Sequence, residues 1–117
     1  MLEKEKRVKK KKDFENIFKN SKSLRCPLFI LKANKNDFGK NRFGFVVSLK
    51  VSKKATIRNK IRRRLKAIIK SLEKNVKPGT DMVFIVLPAS EKKEFTEIKE
   101  AVKKTLLSGG YLLNNNQ

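Results

Sequence analysis

Between Asp37 and Glu73 the chain has no acidic residue, while Lys40, Arg42, Lys50, Lys53, Lys54, Arg58, Lys60, Arg62, Arg63, Arg64, Lys66 and Lys70 are all cationic. A run this one-sided can fold only if its apolar residues gather on one side. At the helical period Ile57, Ile61, Leu65, Ile68 and Leu72 fall on one arc, the kind of stripe that packs on a core. Asn59, Arg63, Lys66 and Lys70 then lie diametrically opposite, with Arg58 and Arg62 on one shoulder and Lys60 and Arg64 on the other. An ordinary solvated face interleaves Glu with Lys, whereas like charges at i, i+4 cost about 0.2–0.5 kcal/mol a pair. The unrelieved face calls for a polyanion that offsets the repulsion.

The flanking sequence supplies the rest of one domain, residues 1–117. Residues 1–12 are a basic arm too polar to fold alone. Asp13 can cap a short helix to about residue 20 that carries Phe14, Ile17 and Phe18 on one face. At helical spacing such aromatics are commoner in cores than in ligand sites. Segments 24–33 and 42–50, rich in Phe, Val, Ile and Leu around a turn-like 34–41, predict a β-hairpin. Alternation in the first sets Leu28, Ile30 and Lys32 against Phe29, Leu31 and Ala33, so a lysine lines an otherwise apolar face. Ser52 or Thr56 can cap the basic helix, and Pro78-Gly79 closes the helical region.

Residues 82–87 are apolar throughout, as in a strand covered on both faces. Ser90 can cap a last helix bearing Phe95, Ile98, Val102 and Leu106. Its acids, Glu91, Glu94, Glu97 and Glu100, turn it away from any polyanion. Residues 111–117 read as a flexible tail. The element order predicts an α/β (α+β) two-layer sandwich with three helices on a mixed sheet of about four strands, the fourth a short strand near 49–53.

A formal charge of +20 makes nucleic acid the main expected partner, ahead of an anionic membrane surface. No apolar run reaches the roughly 20 residues that span a bilayer, and the basic N-terminus has no apolar segment behind it, so the cytoplasm is expected. With Cys26 alone and no histidine, neither a zinc site nor a Cys-His pair can be built from them. No carboxylate pair in the basic region could hold catalytic metal, so no catalytic or metal-ligating residue is assigned to the protein. A DNA-reading helix would mix base-reading Gln, Asn and Ser with Arg. A structural RNA-binding protein of ribosomal type remains the alternative.

Arg58-Asn59-Lys60-Ile61-Arg62-Arg63, preceded by Val47-Ser48 and Ala55-Thr56, resembles the signature helix of the bacterial ribonuclease P protein subunit. Asp13-Phe14 with Ile17-Phe18, Arg42-Phe43-Gly44 and the apolar strand 81–87 extend the resemblance over nearly the whole chain. It implies an RNA-binding subunit of a ribonucleoprotein endonuclease that removes the 5′ leader from precursor tRNA. The active site and its Mg²⁺ would lie in the RNA subunit. By the same resemblance Lys50, Lys53, Lys54, Arg58, Asn59, Lys60, Arg62, Arg63 and Lys66 contact the catalytic RNA. Phe14, Phe18 and Lys32 line a cleft for the leader, and Lys32 stands where the family often has an aromatic residue. The resemblance further implies that the protein lowers the Mg²⁺ requirement and that the basic helix belongs to a left-handed βαβ crossover, and neither membrane nor DNA is expected as a partner. Two departures stand out: the turn 51–54 is one residue longer and lacks the family's glycine, and Lys66-Ala67 replaces a frequent Arg-Glu pair.

Overall fold

The computed structural model describes residues 22–36 and 39–113. Its strands β1 (Lys22–Arg25), β2 (Phe29–Lys35), β3 (Arg42–Val46) and β4 (Thr80–Val86) form one mixed sheet in the order β1-β2-β4-β3. Two α-helices lie among the described residues, α1 (Ala55–Leu72) and α2 (Phe95–Ser108), with short 3-10 turns at Glu73–Asn75 and Pro88–Lys92. The helix predicted at 13–20 and the basic arm lie outside the described residues.

β4 takes a central place because both its faces are apolar. Met82, Phe84 and Val86 join the main core, while Val83 on the opposite face is fully buried with Val46 and Ile85 against it. β4 pairs antiparallel with β2 and parallel with β3. Parallel neighbours cannot be joined by a tight turn, and α1 lies within the crossover that connects them. The hairpin expected from 24–33 and 42–50 therefore does not form. Chain adjacency gives way to burial: β4 inserts between the two segments, where both its faces can be covered.

The first segment is itself divided at Cys26-Pro27-Leu28 into β1 and β2, with the Cys26 N–H donating to the Phe29 carbonyl at 3.0 Å. The fourth strand is thus β1, not 49–53, where Val51 N–H donates to the Ser48 carbonyl at 3.0 Å and closes a turn.

On the helical side Phe29, Leu31, Phe43, Met82 and Phe84 meet Ile61, Leu65, Ile68, Ile69 and Leu72 of α1 and Ile98, Val102 and Leu106 of α2. Phe84 meets Phe29 edge-on at 5.3 Å and stacks with Phe45 at 5.8 Å, both within the favourable range for ring pairs.

The predicted caps shift. Lys54 occupies the N-cap of α1 with no side-chain cap bond, and Ser52 Oγ instead accepts from the Lys54 N–H at 3.2 Å. Glu94 begins α2, its N–H donating to the Glu97 carboxylate at 3.5 Å. Ser90 is buried in the preceding turn, where its hydroxyl donates to the Leu28 carbonyl. The Leu28 carbonyl also accepts from the Leu87 N–H at 2.9 Å, so it is the Ser90 hydroxyl, 3% exposed, that needs this bond, and a buried hydroxyl left without a partner costs about 1–3 kcal/mol.

Residues 111–113, expected to open a flexible tail, are instead paired. Tyr111 N–H donates to the Leu106 carbonyl and Lys77 N–H to the Tyr111 carbonyl, both at 2.8 Å, and Leu112 bridges to Val76. Gly109 makes this return possible, because a Cβ there would stand 2.5 Å from Leu24 Cδ1 and 2.7 Å from the Tyr111 ring. Burial raises the pKa of the Tyr111 phenol above its usual value, so it stays neutral at physiological pH.

At one end of the sheet Asp81, 5% exposed, accepts from Arg42 Nε at 2.8 Å and Nη2 at 2.6 Å and from Asn36 Nδ2 at 2.8 Å. Arg42 and Asp81 are register partners in the parallel pair, so the contact clamps β3 to β4. Asp81→Ala would strip the carboxylate from a guanidinium whose side chain is only 16% exposed. We expect a loss of about 3 kcal/mol in urea unfolding; an unchanged midpoint would rule out the clamp.

Candidate nucleic-acid interface

The apolar seam of α1 fixes what its other side shows to solvent. Ile61, Leu65, Ile68, Ile69 and Leu72 are buried, leaving Asn59, Lys60, Arg63 and Lys70 exposed and Arg58, Arg62, Arg64 and Lys66 half-buried. The face divides into strapped and unstrapped cations. Arg58 Nη1 donates to the Ser52 carbonyl at 3.0 Å. Arg62 donates through Nη1 to Asn59 Oδ1 at 2.9 Å and through Nη2 to the Val47 carbonyl at 3.3 Å. Arg63 makes no such bond among the described residues.

The sequence pattern treats Asn59 as one more contact on the outer face. The structure gives it a second task, holding the Arg62 guanidinium in one direction. With its oxygen occupied, the Asn59 amide still has N–H donors for an outside acceptor.

Lys50, Lys53 and Lys54 are exposed on the turn that leads into α1. Val51, 4% exposed, anchors that turn, and the Lys50 N–H donates to Ser48 Oγ at 3.3 Å. No non-glycine residue described here has positive φ. The turn therefore closes without a glycine. The first turn of α1 contains no acid, so its positive dipole end adds to the attraction for an anion.

The opposite face of the sheet carries the second predicted site in part. Lys32 is half-buried beside Val83 in the register, on the face shared by Ile30, Ile85 and Val46. Its ammonium donates to Ser23 Oγ at 2.6 Å, so the lysine leans toward the sheet edge. Phe14 and Phe18 lie outside the described residues. Arg25, which sequence reasoning missed, is exposed and is the register partner of Ile30, which places it in the same row. The signal for it was Pro27, which ends β1 and makes Lys22–Arg25 a separate strand with its own alternation. Arg42 belongs to this face too, but Asp81 holds its charge.

Glu94, Glu97 and Glu100 are exposed on α2. Among the described residues no three of His, Cys, Asp and Glu gather where a metal ion could be held, and no helix is long and apolar enough to cross a membrane.

A small α+β platform that holds an acid-free cationic helix outward by its apolar seam defines a protein that binds nucleic-acid backbone. The ribonuclease P family model matches residues 2–108. The chain belongs to that family, whose members are components of the ribonucleoprotein endoribonuclease of tRNA 5′ processing.

It is 35% identical over 108 residues to the ribonuclease P protein component of Clostridium botulinum (strain 657 / Type Ba4), covering 92% of this chain and 96% of the relative. To that of Synechocystis sp. it is 39% identical over 83 residues, 70% of this chain and 67% of the relative. The solved structure of the RNase P protein from Thermotoga maritima matches with a TM-score of 0.77 at 30% identity, over 84% of this chain and 92% of that one. The Staphylococcus aureus RNase P protein shares the fold with a TM-score of 0.83 at 24% identity, over 92% and 97%.

Two substitutions separate charge from orientation. Arg63→Ala should weaken binding to ribonuclease P RNA and reduce the log–log salt slope by about one unit. Asn59→Ala removes no charge but releases Arg62, so affinity should fall with the slope unchanged. A salt titration of each variant checks both; an equal drop in slope would mean that Asn59 does not act by positioning.

Proposed function

We propose that α1 and its approach turn bind the catalytic RNA of ribonuclease P, while the opposite sheet face binds the single-stranded 5′ leader of precursor tRNA. Lys50, Lys53, Lys54, Arg58, Asn59, Lys60, Arg62, Arg63 and Lys66 are the contacts to the RNA subunit. The observation that carries this reading is the outward cationic face of α1, which has no acid to relieve it and whose shoulder arginines are already directed by Ser52, Asn59 and Val47. Oriented guanidinium groups lose less freedom on meeting phosphates.

The leader is held by Phe14 and Phe18 with Lys32, and Arg25 extends the row. Aromatic rings stack on unpaired bases whatever their sequence, and the two cations suit the phosphates between them. Mature tRNA has no leader, so this grip raises affinity for substrate over product.

In this reading a third helix over 13–20 and a left-handed crossover through α1 complete the family fold. Catalysis and Mg²⁺ belong, in the same reading, to the RNA. The protein lowers the Mg²⁺ demand by neutralising phosphates that metal ions would otherwise have to screen. It works in the cytoplasm, without membrane or DNA.

Reconstitution tests the whole reading: added to a bacterial ribonuclease P RNA at low Mg²⁺, the chain should restore leader removal. Activity no higher than that of RNA alone would count against it. Phe14→Ala and Lys32→Ala should each weaken binding of precursor tRNA to the holoenzyme several-fold, within the range of one lost stacking or charged contact. Mature tRNA should bind as before. Equal losses for both RNAs would return these residues to a structural role.

A further inference from the structure

A cavity of about 560 Å³ opens between the β1–β2 turn and α2, with Arg25 at its border. Its volume falls within the roughly 300–1,000 Å³ of small-ligand pockets. Leu24, Pro27, Leu28 and Ala101 give it apolar walls. Thr105 lines it as well, 9% exposed, and its hydroxyl makes no hydrogen bond among the described residues. Buried polar groups are rarely left without a partner, so this hydroxyl marks where a polar edge is missing.

Lys93 and Lys104 border the cavity together with Glu97. Lys93 and Glu97 are 3.7 Å apart and about half exposed, a pair that a stronger anion can displace at little cost. The cavity also continues from the basic helix: Arg64 Nη1, on the shoulder of α1, donates to the Lys93 carbonyl at 3.4 Å. A strand whose phosphates follow α1 therefore meets the Lys93 edge of the cavity next.

From this continuity we infer that the cavity receives one unstacked nucleobase of the RNA that α1 binds. The base lies against Leu24, Pro27, Leu28 and Ala101, takes a hydrogen bond with the Thr105 hydroxyl, and leaves its phosphate at Lys93 and Lys104. A hydroxyl both donates and accepts, so it can pair with an edge of any base. Single-stranded RNA is generally recognised through splayed bases of this kind. The inference rests on the assignment of α1 to the RNA subunit and adds to it a place where that RNA is gripped by a base rather than by its backbone.

Cys26 lines the same cavity, is half-exposed and is the chain's one cysteine, so its alkylation by N-ethylmaleimide reports occupancy. In the full chain bound to ribonuclease P RNA, alkylation should slow by about tenfold or more relative to free protein, the ratio that 1.4 kcal/mol of occupancy imposes. A fully paired RNA duplex, bound through its phosphates, should give no protection.

Ala101→Leu, which fills the cavity, should abolish the difference between free and RNA-bound rates while binding through α1 persists. Thr105→Val, which loses only the hydroxyl, should reduce protection and provides the same test should the larger side chain disturb folding. Unprotected Cys26 in an RNA complex that still forms would overturn the base-binding role and leave the α1 reading standing. Failure of the complex to form would instead strike at that reading. Protection by a fatty acid but not by RNA, or protection that grows with protein concentration alone, would assign the cavity to an apolar anion or to a second copy of the chain and equally overturn the inference.

Discussion

The structure depends on an opposition within one helix. α1 has an unbroken cationic side and an apolar seam of Ile61, Leu65, Ile68, Ile69 and Leu72. Like charges at helical spacing work against the helix by a few tenths of a kcal/mol per pair, while each fully buried aliphatic side chain contributes about 1.5–3 kcal/mol. Burial wins, and the helix stays folded with its repulsion unrelieved. What remains is a surface whose electrostatic cost falls when a polyanion arrives. Stability and affinity are therefore linked through the same side chains: RNA binding should strengthen a fold that low ionic strength weakens.

Among the described residues, Asp81 and the acids of α2 are placed where they do not weaken that surface. Asp81 is enclosed at the end of the sheet, where its carboxylate meets Arg42 and Asn36 and holds the parallel strands in register. Glu94, Glu97 and Glu100 lie on α2, with Glu97 engaged at the helix N-terminus and with Lys93. Neither group faces the outward side of α1. The protein thus separates structural carboxylates from functional cations, although its composition alone says only that cations are in excess.

Orientation is the second contribution of the fold. Arg58 and Arg62 are long side chains with considerable rotamer freedom, and three acceptors, the Ser52 carbonyl, Asn59 Oδ1 and the Val47 carbonyl, remove much of it before any partner binds. The acceptors come from the end of the β3 segment, the approach turn and α1 itself. Arg63 keeps its freedom. One basic face therefore contains both preset contacts and adaptable ones, which suits a partner whose phosphates follow an irregular path.

Much of this was legible in the linear pattern, because helical periodicity and charge are local properties. The seam of α1, its opposite cationic face, the doubly covered strand at 82–87, the position of Lys32 on an apolar face and the family signature at 58–63 all follow from residues a few positions apart. The expected hairpin, the strand at 49–53, the caps at Ser52 or Thr56 and at Ser90, and the early start of the tail did not survive. Three of these depended on partners distant in the chain: β4 between β2 and β3, the Leu28 carbonyl for Ser90, and Val76 and Lys77 for the residues after Gly110; the turn at 48–51 and the Ser52 bond to the Lys54 N–H are instead local.

The amino-acid order by itself determined which faces had to be buried and which had to meet an anion. Only the tertiary structure decided which strands became neighbours, which arginines were held in place and where a cavity was left. The reason is that burial and hydrogen-bond satisfaction are settled among groups that folding brings together, and sequence spacing carries no record of those distances.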